Sequence, residues 1–562
     1  MLPPNYLSYC TDEIEEIYSK LDTRITQDIV RRIIKTGEIT DTAKWQVKMA
    51  QESGLLYDDI VQMVVESTGE TEKAVKLLFE DAGIQATMID YEKAGALQRV
   101  DKLSPSALQI LEAAIKKTNS SLSNLTMTTA EMAQNAFISA CSMAEMEITS
   151  GAFDANTAIK HAVDMSIEEG NRIRYPSGVT RSVEAAVRTA VLTGVSQTTG
   201  HISLANAEAL GTDIMQLSAH GGARPEHAVW QGKFVCISNK RRRGYLSLKD
   251  IGYGEITGFK GINCTHDWYP FIVGVSKRAY TKKELEEINN QTVTYNGKEM
   301  PLYEAQDLQR AMERKIRDER RQLASYDTAI KNTKDKTLKQ EFQGEFDMLS
   351  VKLKSHEAKY RDFSNQTGMR PQTERLQVSG FGRSVSQKAK HSAQEHYDVW
   401  RKSIGAEDTP KTLEKYYDMK YNNKYEYELL QGYAKAVKKG DISPLIGFDV
   451  YKDVAKNIEK SFIGKETSDG NKIRSFATHF IDRTIGQTST SHDGLREAAT
   501  IENSLDALIN GTPSPQYIVK VKKGSVIFDD IRQSYSGSKA KVSFSVTEGR
   551  LIQTNPFRKG SK

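Results

Sequence analysis

Ser218-Ala-His-Gly-Gly-Ala-Arg-Pro-Glu-His-Ala-Val-Trp-Gln-Gly-Lys233 and Gly261-Ile-Asn-Cys-Thr-His-Asp-Trp-Tyr-Pro-Phe-Ile-Val-Gly274 crowd Trp, His, Cys, Arg and Gly into two short stretches. Gly221-Gly222 and the Arg224-Pro225 step disfavour helix, because the residue before a proline is pushed toward extended geometry. The His and Trp side chains are therefore expected on an irregular, positioned loop. On the simplest reading, Trp230 and Trp268 anchor that loop on a small core while the histidines bond to backbone carbonyls. Zinc is the sharper alternative. His220, His227, Cys236, Cys264 and His266 are all zinc-ligand types, and Cys264 and His266, two residues apart, project to one face if extended. Their spacing, His-x6-His-x8-Cys and then a distant Cys-x-His, is not that of a standard zinc module, and no Cys-x-x-Cys occurs. The expectation is a metal-free loop with no cofactor.

Together the two segments resemble the core of phage minor capsid proteins, the head-morphogenesis proteins of the Mu-F type and in particular the family of phage minor capsid protein 2. The order of elements also matches, with a long helix from Val179 to about Ala209 leading into the first loop, and the resemblance runs from about Arg172 to Gly274 with a charged hairpin after it. It implies a minor structural protein of a tailed-phage head, present in few copies, whose partners are the portal protein and the major capsid protein. Such a protein assists head morphogenesis or DNA passage. It resides in the virion, and in the host cytoplasm during assembly.

The chain has 562 residues, well beyond what one hydrophobic core supports. With 38% hydrophobic and 27% charged residues and a mean hydropathy of -0.54, it reads as soluble and helix-rich rather than disordered. Cys10, Cys141, Cys236 and Cys264 are too few and too scattered for a disulfide framework, which fits a reducing compartment. Met1-Leu2-Pro3-Pro4 does not open a signal peptide, and no apolar run approaches the roughly 20 residues of a membrane helix. No membrane partner is expected.

The predicted organisation is mainly α and multidomain: a helical N-terminal domain over 1–175, a small Mu-F-like α+β core over 176–280, a long charged helical hairpin over 300–375, a helical linker region over 376–464 and a basic α+β module with an antiparallel sheet over 465–562. Ile14, Ile17, Leu21, Ile25, Ile29 and Ile33 step by three and four along a helix that stops at Gly37. The polar stretch Thr281–Pro301 reads as connection, with Tyr295-Asn-Gly297 as a hairpin turn. Leu308, Met312, Ile316 and Leu323 make one apolar stripe and Leu338, Phe342, Phe346, Leu349, Leu353, His356, Tyr360 and Phe363 another, interrupted at Asn332–Lys336, which predicts an antiparallel helical hairpin. Lys240-Arg241-Arg242-Arg243 is a cationic cluster that reads as a solvated hairpin tip. Ser379-Gly-Phe-Gly-Arg-Ser384 lacks the rest of a dinucleotide fingerprint, and no Gly-x-x-x-x-Gly-Lys-Ser/Thr occurs, so an ATP-driven packaging motor is excluded.

The net charge of +5 is unevenly spread, for Gln516–Lys562 holds ten Lys or Arg against three acids. A basic end on a near-neutral body suggests DNA or RNA as its partner, the alternative being a solvated surface or a disordered basic tip after Asn555. Helices around His479–Arg483 and Ile501–Ile509 are followed by strands at Tyr517–Val521, Val526–Phe528, Val542–Val546 and Leu551–Thr554, with a turn at Glu548-Gly549. Through Thr478–Arg483, Gly494–Glu497 and Gly549–Pro556 this module resembles the small phage-borne nuclease-like domains grouped with barnase, EndoU, the tRNase colicins and RelE. Metal-free RNA cleavage needs a base, an acid and cations for the phosphorane. The resemblance implies His479 as base or acid, Arg483 and Arg496 as the charge and Thr554 as a phosphate donor, with His492 a second-choice acid. The alternative is a binding module whose His479 packs or caps a helix.

Overall fold

Ile14, Leu21, Ile25, Ile29 and Ile33 form a buried face of the Asp12–Gly37 helix, as their spacing predicts, but the burial runs further round the cylinder than that stripe. Ser19, Asp22, Thr23, Thr26 and Thr36 are buried too. Thr23, Thr26 and Thr36 donate their hydroxyls to the carbonyls of Ser19, Asp22 and Arg32 one turn back, which satisfies them inside the core. The helix is enclosed because Thr42–Lys93, Ala155–Glu169, Val183–Ala209 and Leu302–Asn332 all pack against it. Pro105–Thr149 closes the same bundle; Ser104 caps it through the Ala107 amide at 3.2 Å, with Pro105 at its first position.

The computed structural model describes residues 2, 6–7, 10–38, 42–95, 102–169, 172–174, 180–238, 242–407, 410–486, 497–523 and 526–557. The chain divides into two units, Met1–Lys390 and His391–Lys562. It is mainly α, with its largest sheet near the C-terminal end.

In the first unit, Leu302–Asn332 and Lys336–Thr367 are the two arms of the hairpin. Asp335 caps the second arm by accepting from the Leu338 amide at 2.9 Å. Ile316, Leu323, Phe342, Phe346 and Leu353 join the core built by the N-terminal helices, so the seam is part of the main core. His356 lies on the seam, 2.6 Å from Glu319, whose carboxyl burial pushes up to about 7. Charges cross this core as well. Arg321 donates to Asp22 at 2.9 Å, and Glu184 faces Arg317 at 3.4 Å and Arg321 at 3.7 Å; Asp22 and Glu184 are only 3% and 2% exposed.

A four-stranded sheet carries the second, smaller core of this unit. Ile214–Leu217 lies between Phe234–Cys236 and Trp268–Pro270, antiparallel to both, and Leu246–Ser247 adds in parallel at the far side of Phe234–Cys236. Met215, Leu217, Val235, Phe259, Trp230 and Trp268 fill the core. The stretch Thr281–Pro301 is more ordered than a connection. Lys282–Asn289 is a helix held by a reciprocal capping box: Thr281 accepts from the Glu284 amide at 3.2 Å, and Glu284 accepts from the Thr281 amide at 2.7 Å. The expected turn follows, pairing Thr292–Tyr295 with Lys298–Pro301 across Asn296 and Gly297 at φ of 51° and 73°.

In the second unit, Leu413–Asn422, Lys424–Lys439 and Gly447–Phe462 share one core with Thr478–Ile485, Ile501–Ile509 and the terminal sheet, through Leu430, Tyr433, Tyr451, Phe462, Phe480, Phe544 and Leu551. The sheet runs Thr512–Pro513, Val526–Ser536, Ala540–Ser545, Arg550–Pro556, Ser475–Phe476, and Tyr517–Lys523 pairs with the first half of Val526–Ser536. Two short edge strands therefore join the four that alternation reveals. Val526–Ser536 is longer than expected because buried Asp530 accepts from Ser545 at 2.5 Å and Arg532 at 2.7 Å, so its acidic pair continues the strand. Gly549, at φ 62°, turns the last hairpin.

Truncating the seam tests the shared core. Phe342→Ala, at a fully buried position, is expected to destabilise the first unit by about 3–5 kcal/mol, whereas Met348→Ala on the exposed side should stay within about 0.5 kcal/mol; urea unfolding of the full chain measures both.

Candidate functional site

The Ser218–Lys233 and Gly261–Gly274 loops meet over the four-stranded sheet. Trp268 is fully buried; its indole donates to the Gly200 carbonyl at 3.1 Å and its ring stacks on Tyr253 at 5.2 Å. Phe259 stands between the two tryptophans, 4.8 Å from Trp268 and edge-on to Trp230 at 5.7 Å. Both tryptophans thus anchor the loops from below. Beside them lies a buried ion pair: Lys260, 3% exposed, donates to Asp267 at 2.5 Å, and Asp267 also accepts from the amides of Trp268 at 2.9 Å and Leu2 at 2.7 Å. Burial alone would raise the Asp267 carboxyl; the Lys260 ammonium holds it below the usual range. Gly200 gives the Lys260 stem room, since a Cβ there would come within 3.0 Å of it and push it aside.

The histidines use one nitrogen each on a fixed acceptor. His227 donates through Nε2 to the Thr257 carbonyl at 2.8 Å, His266 through Nε2 to Gln231 Oε1 at 2.9 Å, and His220 through Nδ1 to the Gly221 carbonyl at 3.0 Å. Gln231 is itself fixed: it donates to Asn289 at 2.6 Å and accepts from the His220 amide at 3.0 Å. These bonds set the tautomers and leave the second nitrogens as lone pairs. His220 Nε2 accepts from Thr265 at 2.9 Å. His227 Nδ1 and His266 Nδ1 both point at Cys264, whose Sγ lies 4.0 and 3.8 Å from them. Burial lowers all three imidazoles, His266 furthest, and raises the Cys264 thiol.

Four of the five zinc-type residues therefore gather, with His220 ringed against His266 at 4.3 Å, while Cys236 stands apart. Its thiol lies 3.2 Å from the Ser238 hydroxyl and 3.7 Å from Asp213. Of the cationic cluster, Lys240 and Arg241 lie outside the described residues; Arg242 pairs with Asp213 at 3.0 Å and Arg243 is exposed.

In the second unit, His479 Nδ1 faces Asp482 at 3.4 Å and its Nε2 accepts from Arg483 at 3.2 Å, while Arg483 also donates to Asn555 at 3.2 Å. His479 and Arg483 are thus brought together. Thr554 is fully buried, its hydroxyl bonded to Ser504 at 2.8 Å, so it does not face a substrate. Arg496 and His492 lie outside the described residues. Asp482, which sequence reasoning passed over, accepts from Tyr451 at 3.0 Å and orients the histidine; its position three residues after His479 on one helix was the available signal.

The chain belongs to the family of phage minor capsid protein 2, whose model matches residues 2–365. That span contains the helical bundle, both loops and nearly all of the hairpin; the terminal sheet lies outside it. The chain is 24% identical over 292 residues to a structural protein of Lactococcus phage LL-H, covering 49% of this chain and 76% of that one. Over 73 residues it is 36% identical to a structural protein of Lactococcus phage mv4, covering 13% of this chain and half of that protein's length. No solved structure matches it. It is a phage structural protein and so a component of the virion. Among the described residues no helix is long and apolar enough to cross a membrane.

The anchoring role of the tryptophans has a direct check. Trp230→Ala and Trp268→Ala are each expected to destabilise the first unit by about 3–5 kcal/mol, read as a lowered denaturation midpoint; unchanged midpoints would make them surface contacts.

Proposed function

We propose that this protein is a low-copy component of a tailed-phage head, bound to the portal protein and the adjoining major capsid protein, where it assists head morphogenesis or DNA passage. The observation that carries this reading is the family match over residues 2–365, which takes in the His/Trp core and the hairpin in one span. The hairpin suits a scaffolded contact: its apolar seam is buried while its outer faces keep dense charges of both signs, a surface that pairs with a partner by complementarity. The protein should co-purify with phage heads, and the recombinant chain should retain the portal protein. Heads that lack it, with unchanged yield and infectivity after its deletion, would overturn the assignment.

A second reading adds an activity at the other end of the chain. The pairing of His479 with Asp482 and Arg483 is the observation that favours it, because a carboxylate-oriented histidine beside a guanidinium is a base next to a phosphate-binding charge. Exposed Lys520, Lys522, Lys539 and Lys541 supply cations on the same module. On this reading the virion carries a nuclease that acts on RNA without metal. The full chain should bind nucleic acid with an affinity that falls steeply with salt, as counterion release requires. Cleavage of RNA in the presence of a chelator, abolished in His479→Ala with salt-dependent binding retained, would establish it; binding without cleavage would leave a nucleic-acid-binding module.

A further inference from the structure

We propose that His227, Cys264 and His266 form a zinc site that bolts the two loops together. Among the described residues, one ligand atom from each lies within 4.8 Å of the other two, and all three side chains are 2% exposed or less. The separations from Cys264 Sγ, 4.0 and 3.8 Å, are a few tenths of an ångström wider than the roughly 3.5 Å between sulfur and nitrogen ligands of a tetrahedral zinc with Zn–S near 2.3 Å and Zn–N near 2.0 Å. Small rotations of three side chains close that gap.

The hydrogen bonds argue for an ion independently of the distances. With Nε2 of both rings donating to oxygen acceptors, His227 Nδ1 and His266 Nδ1 are both lone pairs, and between them stands a single thiol hydrogen. One hydrogen cannot serve two buried acceptors. A cation serves both and the sulfur at once. The outer bonds are also those that metal-binding imidazoles use, each ring fixed through its far nitrogen by a backbone carbonyl or an amide oxygen. The spacing is not that of a standard zinc module and holds no Cys-x-x-Cys, which is why a metal-free loop is expected from it; the sheet and the two tryptophans bring His227 and Cys264 together across 37 residues.

The donor set selects the metal. One thiolate with two neutral imidazoles suits a borderline-soft ion such as Zn(II) and disfavours Mg(II) or Ca(II), which take oxygen. Binding breaks the Cys264 S–H bond, forms a metal–sulfur bond and releases one proton to solvent, with no change in oxidation state. The three residues border a cleft of about 1430 Å³ that also meets His220, giving an ion a way in and a water the fourth position. The expected role is structural: the ion ties the Pro225–Ala228 turn to the Gly261–Gly274 segment.

The test uses the full chain. Purified after growth with zinc, it should hold about one equivalent by elemental analysis; stripped with chelator and titrated with Co(II), it should develop a thiolate-to-cobalt charge-transfer band. Cys264→Ser should lose that band, and His227→Ala and His266→Ala should weaken Zn(II) binding about tenfold or more, while Cys236→Ser should bind as the parent does. If Cys264→Ser fails to fold, the parent chain decides the matter, because added Zn(II) should protect Cys264 from alkylation. Uptake well below one equivalent, a charge-transfer band that survives Cys264→Ser, or alkylation of Cys264 indifferent to Zn(II) would each overturn the proposal.

Discussion

The His/Trp core depends on the buried pair of Lys260 and Asp267. Asp267 gathers three groups at its carboxylate, the Lys260 ammonium, the amide of Leu2 and the amide opening the Trp268–Pro270 strand, while its own amide donates to the Ser218 hydroxyl at the head of the first loop. Removing one partner would leave an uncompensated charge in the interior, which typically costs about 3–5 kcal/mol, more than most single contacts in the loops contribute. The pair stands by the Val183–Ala209 helix, whose Gly200 opens the space for the lysine stem and accepts the Trp268 indole. An irregular loop thereby acquires the rigidity of the helix beneath it.

That helix also belongs to the large bundle, where Glu184 faces the hairpin arginines. One element thus serves two cores, and the loops are positioned by the same packing that seats the hairpin. The small core and the hairpin are therefore tied to one rigid element rather than to each other through surface residues.

The apolar stripes were legible because core positions on a helix recur every three or four residues: Ile14 to Ile33 and Leu338 to Phe363 needed only counting. The Lys282–Asn289 helix was not, since none of its residues is buried and no stripe exists; its only mark was the Thr281 and Glu284 capping pair. Asp529-Asp530 looked like the end of a strand because the partners that satisfy Asp530, Ser545 above all, are distant in sequence. At the site, residue types were readable and convergence was not. Backbone-carbonyl bonds were expected for the histidines and hold for His220 and His227, whereas His266 bonds the Gln231 side chain; that His227 and His266 thereby turn their opposite nitrogens to one sulfur was not foreseeable. Thr554, given a phosphate contact only by the resemblance, has its hydroxyl bonded inside the fold to Ser504, fifty residues away, a pairing that no local pattern shows.

The charges that cross the main core bear on alignment. Long helices with repeating apolar faces bury nearly the same area when one slides past another by a single turn, about 5.4 Å. Apolar packing by itself is a poor ruler at that scale. A slip of the hairpin arm by one turn would bring Ser325 opposite Asp22 in one direction and Glu313 opposite Glu184 in the other, so that one of the two buried carboxylates loses a guanidinium partner either way. The network therefore acts as a vernier, admitting one alignment out of several that the greasy surfaces alone would tolerate.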